Sequence, residues 1–111
     1  MEIYWKNEKT KELFKSEKKL QKKGLDKKER RNLFTAMNFL QECTSINKMP
    51  SRYNCHPLKS TNPPLYGLDL PSVGGGRGKN RIILIPIGDF DKAHIETITK
   101  VKIMGIENYH N

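Results

Sequence analysis

The sequence predicts an α+β sandwich in which a helical hairpin packs on a small, mostly antiparallel sheet, in the order β-α-α-β-β-β. Three observations carry this. Leu33, Ala36, Met37, Leu40 and Cys43 recur at spacings of three and four, the stripe of an amphipathic helix. Arg81-Ile82-Ile83-Leu84-Ile85-Pro86-Ile87 is a continuous apolar run of strand length, which suggests a strand covered on both faces. From about His94 to Ile106 apolar and polar residues largely alternate, as in a strand returning antiparallel to that run. A helical layer followed by a run of strands is the α+β pattern.

Each element has its own reason. Glu2-Ile3-Tyr4-Trp5 is a short β-prone start with Trp5 as a core anchor. Residues from about 8 to 23 form a charged helix whose apolar positions are Leu13, Phe14 and Leu20. Gly24 suits the left-handed position after a helix end. Asp26 is a fitting N-cap, and Glu29 three residues later completes a capping box for a second helix from about 27 to 44. The segment from Thr44 to Pro64 holds Pro50, Pro57, Pro63 and Pro64 among Ser, Asn and Thr, and is expected to be irregular. Leu65 to Leu70 alternates as a strand. Gly74-Gly75-Gly76-Arg77-Gly78 is a turn, either a plain hairpin connection or a place where backbone amides approach a phosphate. It lacks the Gly-Lys-Ser/Thr ending of a Walker loop. Pro86 marks an end, bulge or edge of its strand, and Gly88 to Lys92 is a turn.

At 111 residues the chain is one domain, spanning 1–111, able to bury roughly two-thirds of its unfolded surface. Only 35% of residues are hydrophobic, and the mean hydropathy is −0.75. The formal net charge is +9, from 21 Lys and Arg against 12 Asp and Glu. Such a charge favours a polyanion, because each phosphate neutralised releases counterions. An acidic protein would exploit it too, and solubility is the bland explanation. No window has the roughly 18 apolar residues of a spanning helix, and no signal-peptide core is present, so a cytoplasmic protein without membrane contact is expected. Cys43 and Cys55 are expected as free thiols; with His56 they lack zinc spacing, and neither a metal nor a cofactor is expected.

Chemistry-bearing residues gather at strand ends: His56-Pro57-Leu58-Lys59, then Arg77, Lys79 and Arg81, then Glu107-Asn108-Tyr109-His110. Histidine titrates near neutral pH and moves protons. Lysine and arginine stabilise a phosphate, and a phenol stacks on a base. Blander roles exist for each. His56 caps a turn, Lys59 is one lysine of many, Arg81 pairs with Asp89 or Asp91 across a hairpin, Tyr109 packs as an aromatic hook, and His110 is a frayed terminus. His94 has no assigned role. The lysine-rich helices are either a solvated face or a contact for RNA or an acidic protein.

The His-Pro-Leu-Lys segment, the strand opening Arg81-Ile-Ile-Leu and the terminal Tyr-His together resemble the HigB-type branch of the RelE/ParE toxin superfamily. The resemblance spans most of the chain and rests on few residues. It implies a ribosome-dependent mRNA endonuclease, the toxin of a type II toxin–antitoxin pair, cutting mRNA in the ribosomal A site without metal. Implied partners are mRNA, the ribosome around the 16S rRNA of that site, and an antitoxin with a helix-turn-helix. His56, Lys59, Arg81, Tyr109 and His110 match the family's catalytic positions; Arg77, Lys79 and Asn108 would contact RNA. Asn108 stands where the family has an acid, and Glu107, one place earlier, points to the opposite face of a strand. Long segments at 60–79 and 88–99 also depart from the pattern. Two other readings stand beside this one: a non-catalytic inhibitor on the same scaffold, like the gyrase-poisoning branch, and a basic nucleic-acid-binding protein.

Overall fold

A computed structural model describes residues 1–59, 61, 64–73 and 79–108. The N-terminal strand β1 (Glu2–Trp5) leads into three helices, α1 (Glu8–Lys15), α2 (Glu17–Lys23) and α3 (Lys27–Glu42). Four strands follow: β2 (His56–Pro57), β3 (Tyr66–Asp69), β4 (Asn80–Pro86) and β5 (Lys100–Asn108). They form one five-stranded sheet in the order β1-β5-β4-β3-β2. β1 runs parallel to β5 and the other neighbours are antiparallel, so the sheet is mixed. The α+β class expected from the sequence is present, but the element order differs, with a third helix and an additional strand.

The expected first helix is two, because Ser16 breaks it. Its backbone is extended (φ −116°, ψ 108°), ending α1, and its hydroxyl accepts from Lys19 N at 3.1 Å, capping α2. Serine does this readily, since its side chain competes for the free amides of a helix start. Asn7 caps α1 in the same way, accepting from Thr10 N at 2.8 Å. Gly24 closes α2 at φ 104°, a left-handed conformation that a side chain would strain.

At α3 the capping box is complete. Glu29 N donates to Asp26 Oδ1 at 2.7 Å, and Asp26 N donates to Glu29 Oε1 at 3.0 Å. Glu29 is buried, and its second oxygen accepts from Asn80 N at 3.2 Å and Asn80 Nδ2 at 3.0 Å. One carboxylate thus starts a helix and fixes the first residue of β4. Glu29→Ala removes the cap and leaves buried amide groups unpaired. It is expected to lower unfolding free energy by about 2–4 kcal/mol, measured by urea titration.

The core lies between the helices and one face of the sheet. Phe14, Leu20, Leu25, Leu33, Ala36, Met37 and Leu40 meet Tyr66, Leu68, Ile82, Leu84, Val101, Ile103 and Ile106. Trp5 is half-buried and sits edge-on to Phe14 at 5.2 Å. The segment after α3, expected to be irregular, contains two 3-10 turns, Ile46–Lys48 and Ser51–Tyr53, which bury Ile46 and Tyr53 in that core. Arg52 covers the rings of Tyr53 and Phe39, its guanidinium carbon 4.8 and 5.3 Å from the ring centres.

The last strand starts at Lys100, later than the alternation from His94 suggests. Ile95–Thr97 is a 3-10 turn. Thr97 Oγ1 donates to His94 O at 2.7 Å and accepts from Asp91 N at 2.8 Å, a local closure that competes with strand pairing. β4 ends at Pro86, opposite Val101. Between Ile83/Gly105 and Leu84/Ile103 the register shifts, so Met104 is an extra residue in β5; Gly105 beside it has φ 145°. Among the described residues no helix is long and apolar enough to cross a membrane.

Candidate functional site on the outer face of the sheet

Registers across the sheet define what its second face carries. One row is His56, Gly67, Ile83 and Gly105, across β2, β3, β4 and β5. The next row is Asp69, Arg81 and Glu107. Beyond the bulge on the other side lies the row Tyr4, Lys102 and Ile85. Toward β1 and β5 this outer face is open: Glu2, Tyr4, Lys100 and Glu107 are exposed.

Gly67 brings His56 and Arg81 together. A Cβ built there would lie 3.3 Å from Arg81 Cδ, 3.6 Å from His56 Cε1 and 3.2 Å from Leu58 Cδ2. The glycine thus leaves a slot over which imidazole and guanidinium stem converge, although 25 residues separate them in sequence. Gly67→Val is expected to push these groups apart and to weaken any activity that needs both.

The imidazole is oriented from behind. His56 Nδ1 lies 2.6 Å from Asn54 O, and since a carbonyl only accepts, Nδ1 carries the hydrogen. In the neutral ring Nε2 is then the basic nitrogen. Asn54 adopts a left-handed conformation (φ 45°, ψ 54°), which asparagine tolerates better than most residues. Its Nδ2 donates to Asp69 Oδ2 at 2.7 Å. Asp69 is fully buried and faces Arg81 across the strand pair. A chain of contacts therefore runs from a buried carboxylate through Asn54 to the imidazole.

The residues singled out from sequence fall into three groups. His56 and Arg81 share the slot, and Lys59 is exposed in the turn directly after β2. Lys79 is exposed just before β4, while Asn108 pairs in register with Asn80, the other side of the alternation from Arg81. Glu107 is the residue of the C-terminal strand that shares Arg81's row. Arg77, Tyr109, His110 and the Gly74–Gly78 turn lie outside the described residues. Asp89 and Asp91, considered as partners for Arg81, sit elsewhere: Asp91 pairs with His94 at 3.8 Å, and Arg81 stands between Asp69 and Glu107. Asn54 and Asp69 were not visible as site residues in the sequence; the left-handed tendency of asparagine just before Cys55-His56-Pro57 was the only available signal.

Beside this face a cleft of about 620 Å³ separates α1 and α2 from β5. Lys6, Lys9, Lys19 and Lys23 line it, over an apolar floor that includes Leu13, Ile83 and Met104. Ile83 belongs to the row that begins at His56, while His56, Gly67 and Arg81 themselves are not part of the cleft lining. Of these lysines, Lys19 has an ion-pair contact with Glu12 at 3.7 Å, between exposed groups.

Cys43 and Cys55 are free thiols. Burial pushes Cys55 up to about 12, with the nearby Cys43 thiol adding to the shift, and burial also raises Cys43. A thiol harder to ionise when folded binds more protons than the unfolded chain above pH 9. Stability is therefore expected to be undiminished by Cys55 below its unfolded value of 9.0, and to fall as pH rises from there toward about 12. Cys55→Ser should flatten that alkaline decline in melting curves. At pH 8 the thiol should resist alkylation until the protein is unfolded.

Comparisons with family models, with curated proteins and with solved structures find no match to the chain. Among the described residues no three or more His, Cys, Asp or Glu side chains are grouped as a metal ion requires.

Proposed function

We propose that the outer face of this sheet binds and cuts RNA, as a ribosome-dependent mRNA endonuclease of the HigB type acting as the toxin of a toxin–antitoxin pair. The observation that carries the reading is the oriented imidazole of His56 beside Arg81 across Gly67. Cleavage by 2′-hydroxyl attack needs a base for the hydroxyl proton, an acid for the departing 5′-oxygen and cations around the crowded phosphorus. In this reading His56 Nε2 takes the 2′-hydroxyl proton. The 2′-oxygen then bonds to phosphorus, the 5′-oxygen bond breaks, and the products are a 2′,3′-cyclic phosphate and a 5′-hydroxyl. Arg81 and Lys59 hold the phosphate. Tyr109 and His110 enter from the resemblance, as base-stacking group and second proton carrier. The net charge of +9 and the lysine-lined cleft support a polyanion partner.

One observation favours a binding protein without catalysis. Arg81 stands in register between Asp69 and Glu107, which draws its charge toward carboxylates and away from a substrate phosphate. Induction of the wild type and of a His56→Ala, Lys59→Ala double variant in cells, with mapping of mRNA 5′ ends, separates the two. New ends inside translated codons, absent from the variant, support the nuclease. Growth arrest without cuts, unchanged in the variant, sinks it in favour of another target.

A further inference from the structure

Among the described residues Tyr4 is one of two large apolar side chains that are strongly exposed, at 46%. It stands on the open part of the outer face, in register with Lys102 on β5. Its hydroxyl donates to Glu2 Oε2 at 2.9 Å, which fixes the ring at its edge. Glu2 in turn has Lys100 Nζ at 3.8 Å, so the acid beside the ring is balanced locally. Lys6, two residues on, opens the lysine-lined cleft. An exposed aromatic ring on a sheet, among cations and with no aromatic neighbour of its own among the described ring pairs, is the combination that holds an unpaired base. Among the described residues that line the cleft none is aromatic, so on this part of the face Tyr4 is the ring available for stacking.

We propose that Tyr4, with Lys102 and Lys6 beside it, forms a base-stacking subsite for single-stranded RNA at the end of the sheet opposite His56. The subsite rests on the same RNA-binding face as the reading above and extends it to a nucleotide remote from the cut. β1 and β2 are the two edges of the sheet, four strand spacings apart. At about 4.8 Å each, the separation is roughly 20 Å. A dinucleotide cannot reach from one to the other. An octanucleotide, at about 3.4 Å per nucleotide even when stacked, can.

The test is fluorescence anisotropy with 2′-O-methyl octauridylate and the matching dinucleotide, probes that cannot be cut by 2′-hydroxyl attack. Tyr4→Ala is expected to weaken octamer binding about 5- to 150-fold and to leave dinucleotide binding at the His56 end unchanged. Tyr4→Phe, which keeps the ring and loses the bond to Glu2, should bind as the wild type does. Lys102→Ala should lower the salt slope by about 0.7. Octamer binding unchanged in Tyr4→Ala, or lost equally in Tyr4→Phe, overturns the subsite. So does a wild type that ignores the octamer and binds poly-glutamate instead, which would assign the face to an acidic protein. Since the probes cannot react, Tyr4-dependent binding by a protein that never cuts RNA would retain the subsite and reject the nuclease.

Discussion

His56→Ala is expected, on the proposed nuclease reading, to slow RNA cleavage by about 10²- to 10⁴-fold, the usual range for loss of a general base. His56 is only half-buried and lies on a two-residue edge strand, so little packing is lost with its ring. RNA binding should be nearly unchanged, because Arg81 and Lys59, which hold the phosphate in the proposed reading, stay in place. The distinction is quantitative. A catalytic role shows as a fall in single-turnover rate at saturating protein, with binding and melting temperature kept. A purely structural role would lower the melting temperature and binding together. Asn54→Ala, which keeps the carbonyl but loses the side-chain tether to Asp69, should give an intermediate defect, since it loosens the imidazole without removing it.

Asp69→Ala has the largest expected effect on the fold, about 3–5 kcal/mol of unfolding free energy. The carboxylate belongs to the last residue of β3, is fully buried, accepts from Asn54 Nδ2 at 2.7 Å and lies opposite Arg81. Removing it leaves an amide and an arginine in a site with little access to water. The loss should also misplace His56, because Asn54 both accepts from the imidazole and is tied to this carboxylate. Chemical denaturation reads the first effect and cleavage at low temperature, where the variant is folded, reads the second. A variant as stable as the wild type would mean that the buried carboxylate contributes nothing net, as some buried polar groups do.

The parts of this architecture that were legible in the sequence are those with local causes. The α3 stripe, the Asp26–Glu29 box and Gly24 each combine a periodicity with a capping residue. The apolar run at Ile82–Ile87 is long enough to be a strand on its own evidence. What was not legible depends on partners distant in sequence. Ser16 divides a segment that is lysine-rich on both sides, so composition hides the break. β2 is two residues long, one of them proline, too short for any period to show. The parallel pairing of β1 with β5 joins chain segments almost 100 residues apart. The alternation from His94 was real, but hydrogen bonds of Thr97 close it into a turn before the strand begins.

The site was legible in the same partial way. His56 and Arg81 stood out by residue type, and the fold brings them together. Their meeting point, Gly67, and the buried Asp69 carried no mark, and Asn54 carried only asparagine's tolerance of the left-handed conformation. Asp69 in the sequence Leu68-Asp69-Leu70 has the look of a solvent-facing position in an alternating strand, whereas all of β3 is buried. The register of the last strand was not legible either: Glu107 is opposite Arg81 and Asn108 is opposite Asn80.

The most direct test of the central claim is the chemistry of the ends left on an mRNA bound to purified ribosomes. The account predicts cuts inside codons that carry a 2′,3′-cyclic phosphate upstream and a 5′-hydroxyl downstream, made by the wild type and not by His56→Ala. Cuts bearing a 3′-hydroxyl and a 5′-phosphate, or a His56→Ala variant that cuts as fast as the wild type, would contradict it.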